Sequence, residues 1–125
     1  MNERNILGNT IQFAATDNQL NTLYKNAICF IFPSRYEGFG IPILEAFKNN
    51  CPVLLSNCSC FPEIAGDAAL YFDDNSIRSL INKIQLLIDN KTLGNQLMHK
   101  GKEKLKNYTL EKCIQATINV YKELI

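Results

Sequence analysis

Residues 30–56 read FIFPSRYEGFGIPILEAFKNNCPVLLS, and this stretch decides the fold that the sequence predicts. Two apolar runs, at 28–32 and 52–55, are typical of strands that are buried on both faces. Between them, a glycine-containing turn leads into a segment with helical character at 42–48. The order strand, turn, helix, strand predicts the βαβ unit of a parallel sheet. Open sheets of this kind bind their ligands where the strands end and the helices begin.

The turn carries groups that suit a phosphorylated ligand. Gly38 and Gly40 flank Phe39, and glycine lets a ligand approach the backbone closely. The N–H groups of these three residues and of the first helical turn predict an anion site at the positive end of the helix. Glu37 precedes them, and Glu45 is expected in the first turn of the helix. Since two carboxylates would repel a phosphate, they are better suited to accept hydrogen bonds from sugar hydroxyls, so the pattern favours a nucleotide sugar.

The rest of the chain predicts further strands and helices in alternation. Additional strands are expected at 10–14 and 69–72. Additional helices are expected at about 17–26, at 61–65, after an acidic cap at 73–75, at 92–106 and from Thr109 onward. These elements amount to about four parallel strands and a helical C-terminal tail. We therefore predict an α/β fold with a Rossmann-like parallel sheet, in a single domain spanning 1–125.

The helical segments in the second half differ in pattern. The segment after the acidic cap has apolar residues that should face inward: Ile77, Leu80, Ile81, Ile84, Leu87 and Ile88. The segment at 92–106 should be weaker, because Gly94 and Gly101 interrupt it. The last helix places one set of residues on a single face: Leu110, Cys113, Ile114, Thr117, Ile118, Tyr121 and Leu124.

Composition excludes several classes of protein. A net charge of +1 gives no electrostatic attraction to nucleic acid. No apolar run approaches the roughly 18 residues of a spanning helix, and the first ten residues lack the apolar core of a signal peptide. Five cysteines without an export signal favour a reducing, cytoplasmic location. No metal is expected, because Cys58-Ser-Cys60 lacks a second ligand pair.

The segment from Glu37 to Glu45, EGFGIPILE, resembles the E-x7-E signature of family 4 glycosyltransferases in its common form EGFGxPxxEA. The flanking segments match in family order: LYKNA, FPS, CPVLLSN, FPEIAGDAALYFD and YTLEKCIQATINVYKEL. The resemblance covers about residues 10–124. It implies a GT-B architecture, in which two Rossmann-like domains face each other across a cleft. This chain resembles the later part of the second, donor-binding domain, so the acceptor domain and the first βα units would lie outside it.

The resemblance also implies a reaction. Family 4 enzymes transfer a sugar, with retention at the anomeric carbon, from a UDP- or GDP-linked donor to a glycan or lipid-linked acceptor. Here the sugar would be a hexosyl group of the mannosyl type, and the pathway would be polysaccharide or lipopolysaccharide synthesis. Glu37 would contact the donor sugar in the catalytic centre, and Glu45 would accept hydrogen bonds from the ribose. Gly38, Phe39 and Gly40 would hold the donor through their amides, without a metal.

Other interpretations of the same residues stay open. Glu45 could merely complement a helix dipole, Glu37 could be solvated, and Phe39 could simply pack. Arg35 borders the turn and is expected to be solvated, with contact to a phosphate as its alternative. For the whole chain, one alternative is a donor-binding subunit that needs a partner chain to supply the acceptor domain. Another is a non-catalytic fragment that acts only in protein contacts. The lysine run at 100–106 is expected to be solvated, with contact to a membrane surface as its alternative. The isolated chain is expected to bind donor weakly and to transfer little.

Overall fold

A computed structural model describes residues 9–58 and 60–124. The strands in this part are β1 (Phe30–Phe32), β2 (Val53–Ser56) and β3 (Leu70–Phe72). The helices are α1 (Asp17–Asn26), α2 (Ile41–Lys48), α3 (Phe61–Ala65), α4 (Ile77–Asp89), α5 (Lys91–Leu105) and α6 (Leu110–Glu123). A short 3-10 turn, Gly66–Ala68, follows α3. The predicted α/β class, with a helical C-terminal tail, is confirmed.

The three strands form one parallel sheet in the order β1-β2-β3. Phe30 lies opposite Val53 in the first pair, and Leu54 lies opposite Leu70 in the second. All four residues of the central strand β2 are buried. A strand buried on both faces needs apolar side chains at every position, which explains its continuous Val-Leu-Leu run.

Successive β2 residues face two separate apolar clusters. Val53 and Leu55 contribute to a cluster with residues of α1, α2 and α3, whose largest buried members are Phe47 and Phe61. Leu54 contributes to the other cluster, together with Phe72 of β3, Leu87 of α4 and Leu97 of α5. The sheet is therefore covered by helices on both faces, and its carboxyl edge is left to the loops.

The prediction of a strand at 10–14 is wrong. This segment has no regular structure, and Ile11 and Phe13 are exposed. A strand is stable only beside a hydrogen-bonded neighbour, and in the described part of the chain β1 pairs with β2 alone. The sheet consequently has three strands here instead of about four. β1 also begins at Phe30 and not at 28, because Ile28 is exposed outside the sheet.

The capping and the inward face of α4 differ from the prediction. Ser76, and not the 73–75 segment, is the N-cap: its side chain accepts a hydrogen bond from the Ser79 amide at 3.2 Å. Asp73 Oδ1 instead accepts a hydrogen bond from the Asn75 amide, which closes a local turn. Along α4, a narrow stripe of Leu80, Ile84 and Leu87 packs toward the sheet, whereas Ile77, Ile81 and Ile88 are exposed.

The glycines at 94 and 101 do not interrupt α5, which runs unbroken from Lys91 to Leu105. Gly94 is in open space. At Gly101, an added Cβ would meet Cδ1 of Phe47 at 2.6 Å. Gly101 is therefore a point of close packing between α5 and α2, and not a helix breaker.

Candidate functional site

The loops that follow β1, β2 and β3 lie at the same edge of the sheet and are bonded to each other. The Ser56 hydroxyl donates to the Ser34 carbonyl, and Cys58 Sγ lies 3.1 Å from the same oxygen. The Arg35 Nε lies 2.9 Å from Asp74 Oδ2, which ties the first loop to the third. The segments that follow the three strands thus lie together at one edge in the described residues.

Gly40 sets the shape of the turn. Its φ of 96° and ψ of 47° place it in the left-handed region, which residues other than glycine rarely adopt. The space is also tight, since an added Cβ would lie 3.0 Å from Ile43 Cδ1. Gly38, in contrast, is exposed, and an added Cβ there would meet nothing within 4 Å. Gly40 is therefore required by the fold, and Gly38 leaves backbone open to a ligand.

Gly40 is also the N-cap of α2 and offers no side chain to cap it. The first turn of α2 contains no acidic residue. The N-terminus of α2 therefore receives no cap from a side chain at position 40. In its first turn, Pro42 has no amide N–H, and the Ile43 amide donates to the Gly40 carbonyl at 2.9 Å. The prediction that Glu45 lies in this first turn is wrong. Because α2 begins at Ile41, Glu45 is its fifth residue and lies in the second turn.

The Glu45 carboxylate is half-buried and is held by α1. The Tyr24 hydroxyl donates to Glu45 Oε2 at 3.3 Å. Tyr24 is only 6% exposed, and burial, followed by the charge of Glu45, raises the pKa of its hydroxyl to about 12. The hydroxyl therefore remains a proton donor at neutral pH. The helix that carries Tyr24 was predicted from the sequence, but this contact was not.

Glu37 is half-buried in the turn, and Phe39 is 44% exposed. The sulfur of Cys60 lies 3.4 Å from the carbonyl of Glu37 and 3.2 Å from that of Phe39. The Phe39 ring packs edge-on against Tyr108, with 5.7 Å between ring centroids. The side chain of Phe39 is therefore used in packing, which leaves its backbone as the part that could meet a ligand. The contacts of Cys60 and Tyr108 were not predicted from the sequence.

Arg35 has a defined partner and is not simply solvated. Its side chain is 72% exposed, yet it pairs with Asp74 and lies 3.4 Å from Asn75 Oδ1. In the described residues, no group of three or more His, Cys, Asp or Glu is arranged to hold a metal ion. The described helices include none with the length and apolar character needed to cross a membrane.

Comparison with known proteins agrees with this architecture. An O-antigen chain mannosyltransferase B from Escherichia coli is 38% identical over 108 residues, which are 86% of this chain and 28% of that protein. The O-antigen chain mannosyltransferase RfbU from Salmonella typhimurium is 41% identical over 75 residues, or 58% of this chain and 21% of that protein. The chain thus spans less than a third of these two relatives.

The fold matches a solved structure of a larger enzyme. Sucrose-phosphate synthase from Thermosynechococcus elongatus superimposes with a TM-score of 0.80 at 23% sequence identity. The match covers 94% of this chain and 31% of that protein, so this chain has the fold of part of a GT-B structure. The family model described as "Glycosyl transferases group 1" matches residues 2–109. Because this match covers most of the residues of this chain, the chain belongs to the group 1 glycosyltransferases.

Proposed function

We propose that this chain binds the nucleotide-sugar donor of a retaining, family 4 glycosyltransferase, for transfer to a glycan or lipid-linked acceptor. One observation carries this proposal: the loop after β1 leads through left-handed Gly40 into α2, with Glu37 before this turn and Glu45 in the second turn of the helix. Open α/β sheets bind ligands at the carboxyl edge, where the loops after the strands lie. Membership of the group 1 family supports the transferase chemistry, and the names of two relatives support a mannosyl group and O-antigen synthesis.

Each part of the site has a proposed role in the reaction. The departing diphosphate gains negative charge, and the amides of Gly38 to Gly40 and the positive end of α2 would stabilise it. The Glu45 carboxylate would accept hydrogen bonds from the ribose hydroxyls. Glu37, in the catalytic centre, would do the same for the donor sugar. Both carboxylates would orient the donor and would not act as nucleophile or general acid.

The proposal is tested by calorimetric titration of the chain with GDP, UDP, GDP-mannose and UDP-glucose, comparing the unmodified chain with Glu45→Ala. We expect saturable binding of one nucleotide and a loss of about tenfold or more in Glu45→Ala, since hydrogen bonds to a charged group are among the stronger ones. Glu111→Ala is the matched control, because Glu111 is an exposed residue of α6. Equal affinities for the unmodified chain and Glu45→Ala would contradict the proposed role of Glu45.

A second candidate is a donor-binding subunit that works with a partner chain. It is favoured by an apolar surface beside β1, which in the described residues pairs on one side only. A cavity of about 480 Å³ there is lined mostly by apolar residues of α1 and β1, among them Leu23, which is 48% exposed. Such surfaces mark contacts with other polypeptide. Donor binding that appears only after co-expression with the product of a neighbouring reading frame would support this candidate. Full donor affinity of the chain alone would contradict it.

A further inference from the structure

Glu45 is linked to a different helix through a hydroxyl that the packing of the protein fixes. Tyr24 of α1 packs edge-on against Phe30 of β1, with 5.3 Å between ring centroids, and its hydroxyl reaches Glu45 Oε2 at 3.3 Å. A buried ring with two rotatable side-chain bonds has little freedom to move. The position of the Tyr24 hydroxyl is therefore set by the sheet and not by the loop.

A second contact keeps α1 and α2 in this relation. The Asn49 side-chain amide donates to Asn21 Oδ1 and to the carbonyl of Glu45, both at 2.9 Å. Asn49 is itself buried. The backbone of Glu45 is thus tied to α1 by Asn49, while its carboxylate is tied to α1 by Tyr24.

The bond from Tyr24 leaves the carboxylate able to bind a ligand. A carboxylate has about four lone-pair sites on two oxygens, and Tyr24 occupies one of them on Oε2. The remaining sites suffice for two neighbouring hydroxyl groups. Because burial raises the pKa of Tyr24 to about 12, the hydroxyl keeps its proton at neutral pH and can donate it to Glu45.

We propose that Tyr24 is a positioning residue for donor binding: its buried hydroxyl holds the Glu45 carboxylate in the orientation that receives the ribose hydroxyls of the nucleotide. This inference rests on the proposed function, since it requires that Glu45 meets the ribose. A long glutamate side chain otherwise samples several rotamers, and fixing it on binding would cost affinity. With Tyr24 in place, the Glu45 side chain would lose this freedom during folding, before the ligand binds.

The test compares each nucleotide with its analogue that lacks both ribose hydroxyls. The chain and its Tyr24→Phe variant are titrated with GDP and 2′,3′-dideoxy-GDP, and with the corresponding uridine pair. For the nucleotide that binds, we expect Tyr24→Phe to weaken affinity about five- to tenfold, as for the loss of one hydrogen bond to a charged group. Affinity for the dideoxy analogue should not change. An equal loss for both ligands would overturn the proposal, because it would indicate a general structural defect.

Two further variants make the result specific. Tyr71→Phe removes another half-buried hydroxyl, which donates to the Gly66 carbonyl at 2.8 Å, and it should leave both affinities unchanged. In a Glu45→Ala background, Tyr24→Phe should cause no additional loss, because its effect would pass through Glu45. An additional loss there would contradict the proposal.

The same titrations separate this inference from the proposed function. If Glu45→Ala abolishes the preference for GDP or UDP over its dideoxy analogue while Tyr24→Phe leaves that preference undiminished, only the inference about Tyr24 is wrong. If Glu45→Ala leaves that preference unchanged, Glu45 does not contact the ribose, and both the proposed role and the inference fail. If the folded chain binds neither nucleotide, donor binding by this chain and the inference are both contradicted.

Discussion

Helices α5 and α6 are consecutive, similar in length and both amphipathic, yet only α5 is packed. α5 has 15 residues, contacts α2, α3, α4 and the 3-10 turn, and buries Leu97 and Gly101. α6 has 14 residues and buries none of them. An apolar stripe therefore predicts which residues of a helix share a face, but it does not predict that the face is covered. Coverage depends on what the partner surface offers.

α5 packs closely against α2, whereas α6 lies beside an open apolar groove. Gly101 of α5 meets the ring of Phe47, where even one added carbon would be too close. Near the start of α6, an apolar groove of about 630 Å³ is lined in part by Phe39, Leu44 and Tyr108. The difference indicates that the body, residues 17–105, contains its own core, and that α6 adds little to the stability of that core.

The largest expected change in stability comes from truncating a side chain in the contact between α5 and α2, compared with one on α6. Phe47→Ala should lower the free energy of unfolding by about 3–5 kcal/mol, because it deletes a fully buried ring. Ile118→Ala on α6, where the side chain is 42% exposed, should change it by less than about 0.5 kcal/mol. Urea denaturation of both variants measures the difference. A loss above about 1.5 kcal/mol in Ile118→Ala would show that the face of α6 is covered in solution.

The second effect is a pH dependence that originates in the body. Burial raises the pKa of Tyr24 from 10.0 to about 12. Between these values the unfolded chain loses a proton that the folded chain keeps, so stability is complete below pH 10 and falls as the pH rises toward 12. By about pH 12, the loss should be about 2–3 kcal/mol smaller in Tyr24→Phe than in the unmodified chain. Denaturation series at rising pH measure this; parallel profiles would mean that Tyr24 ionises alike in both states.

The parts of the fold that the sequence predicted are those with a single physical solution. β2 is buried at every position, and its unbroken apolar run has no other stable place than the centre of a sheet. The segment at 10–14 alternates apolar and polar residues in the same way as many edge strands, but such a pattern needs a neighbour that the described sheet does not provide. Likewise, nothing in the pattern of α4 reveals that Ile81 remains exposed.

The candidate site shows the same limit. The glycine turn was predictable, because a left-handed residue and a close contact at position 40 demand glycine. The bond between Tyr24 and Glu45 joins residues 21 positions apart and depends on how α1 packs against α2, which local pattern does not encode. The ligand roles of Glu37, Gly38 and Glu45 stay predictions until binding is measured.

The third effect concerns the two glycines of α5. Gly101→Ala should lower the free energy of unfolding by about 1–3 kcal/mol, because the new Cβ would overlap the buried ring of Phe47. Gly94→Ala is the matched control on the same helix, in open space, and should stabilise the protein by about 0.5–1 kcal/mol through helix propensity alone. Thermal and urea unfolding of the two variants measure both signs. A stabilising Gly101→Ala would contradict the close packing of α5 on α2.

The smallest expected change in stability comes from removing the N-cap of α1, which packs in the body, or of α6, which does not. Thr16 caps α1 in a capping box with Gln19, and the Thr109 side chain caps α6 by accepting the Lys112 amide at 3.3 Å. Each Thr→Ala change should weaken its own helix by about 1 kcal/mol. Because α1 carries the buried Tyr24, Thr16→Ala should lower the stability of the whole protein by that amount. Thr109→Ala should leave global unfolding unchanged and only speed amide hydrogen exchange within α6. If Thr109→Ala instead lowered global stability as much as Thr16→Ala does, α6 would fold together with the body. In that case α6 would contribute to the stability of the core as α1 does.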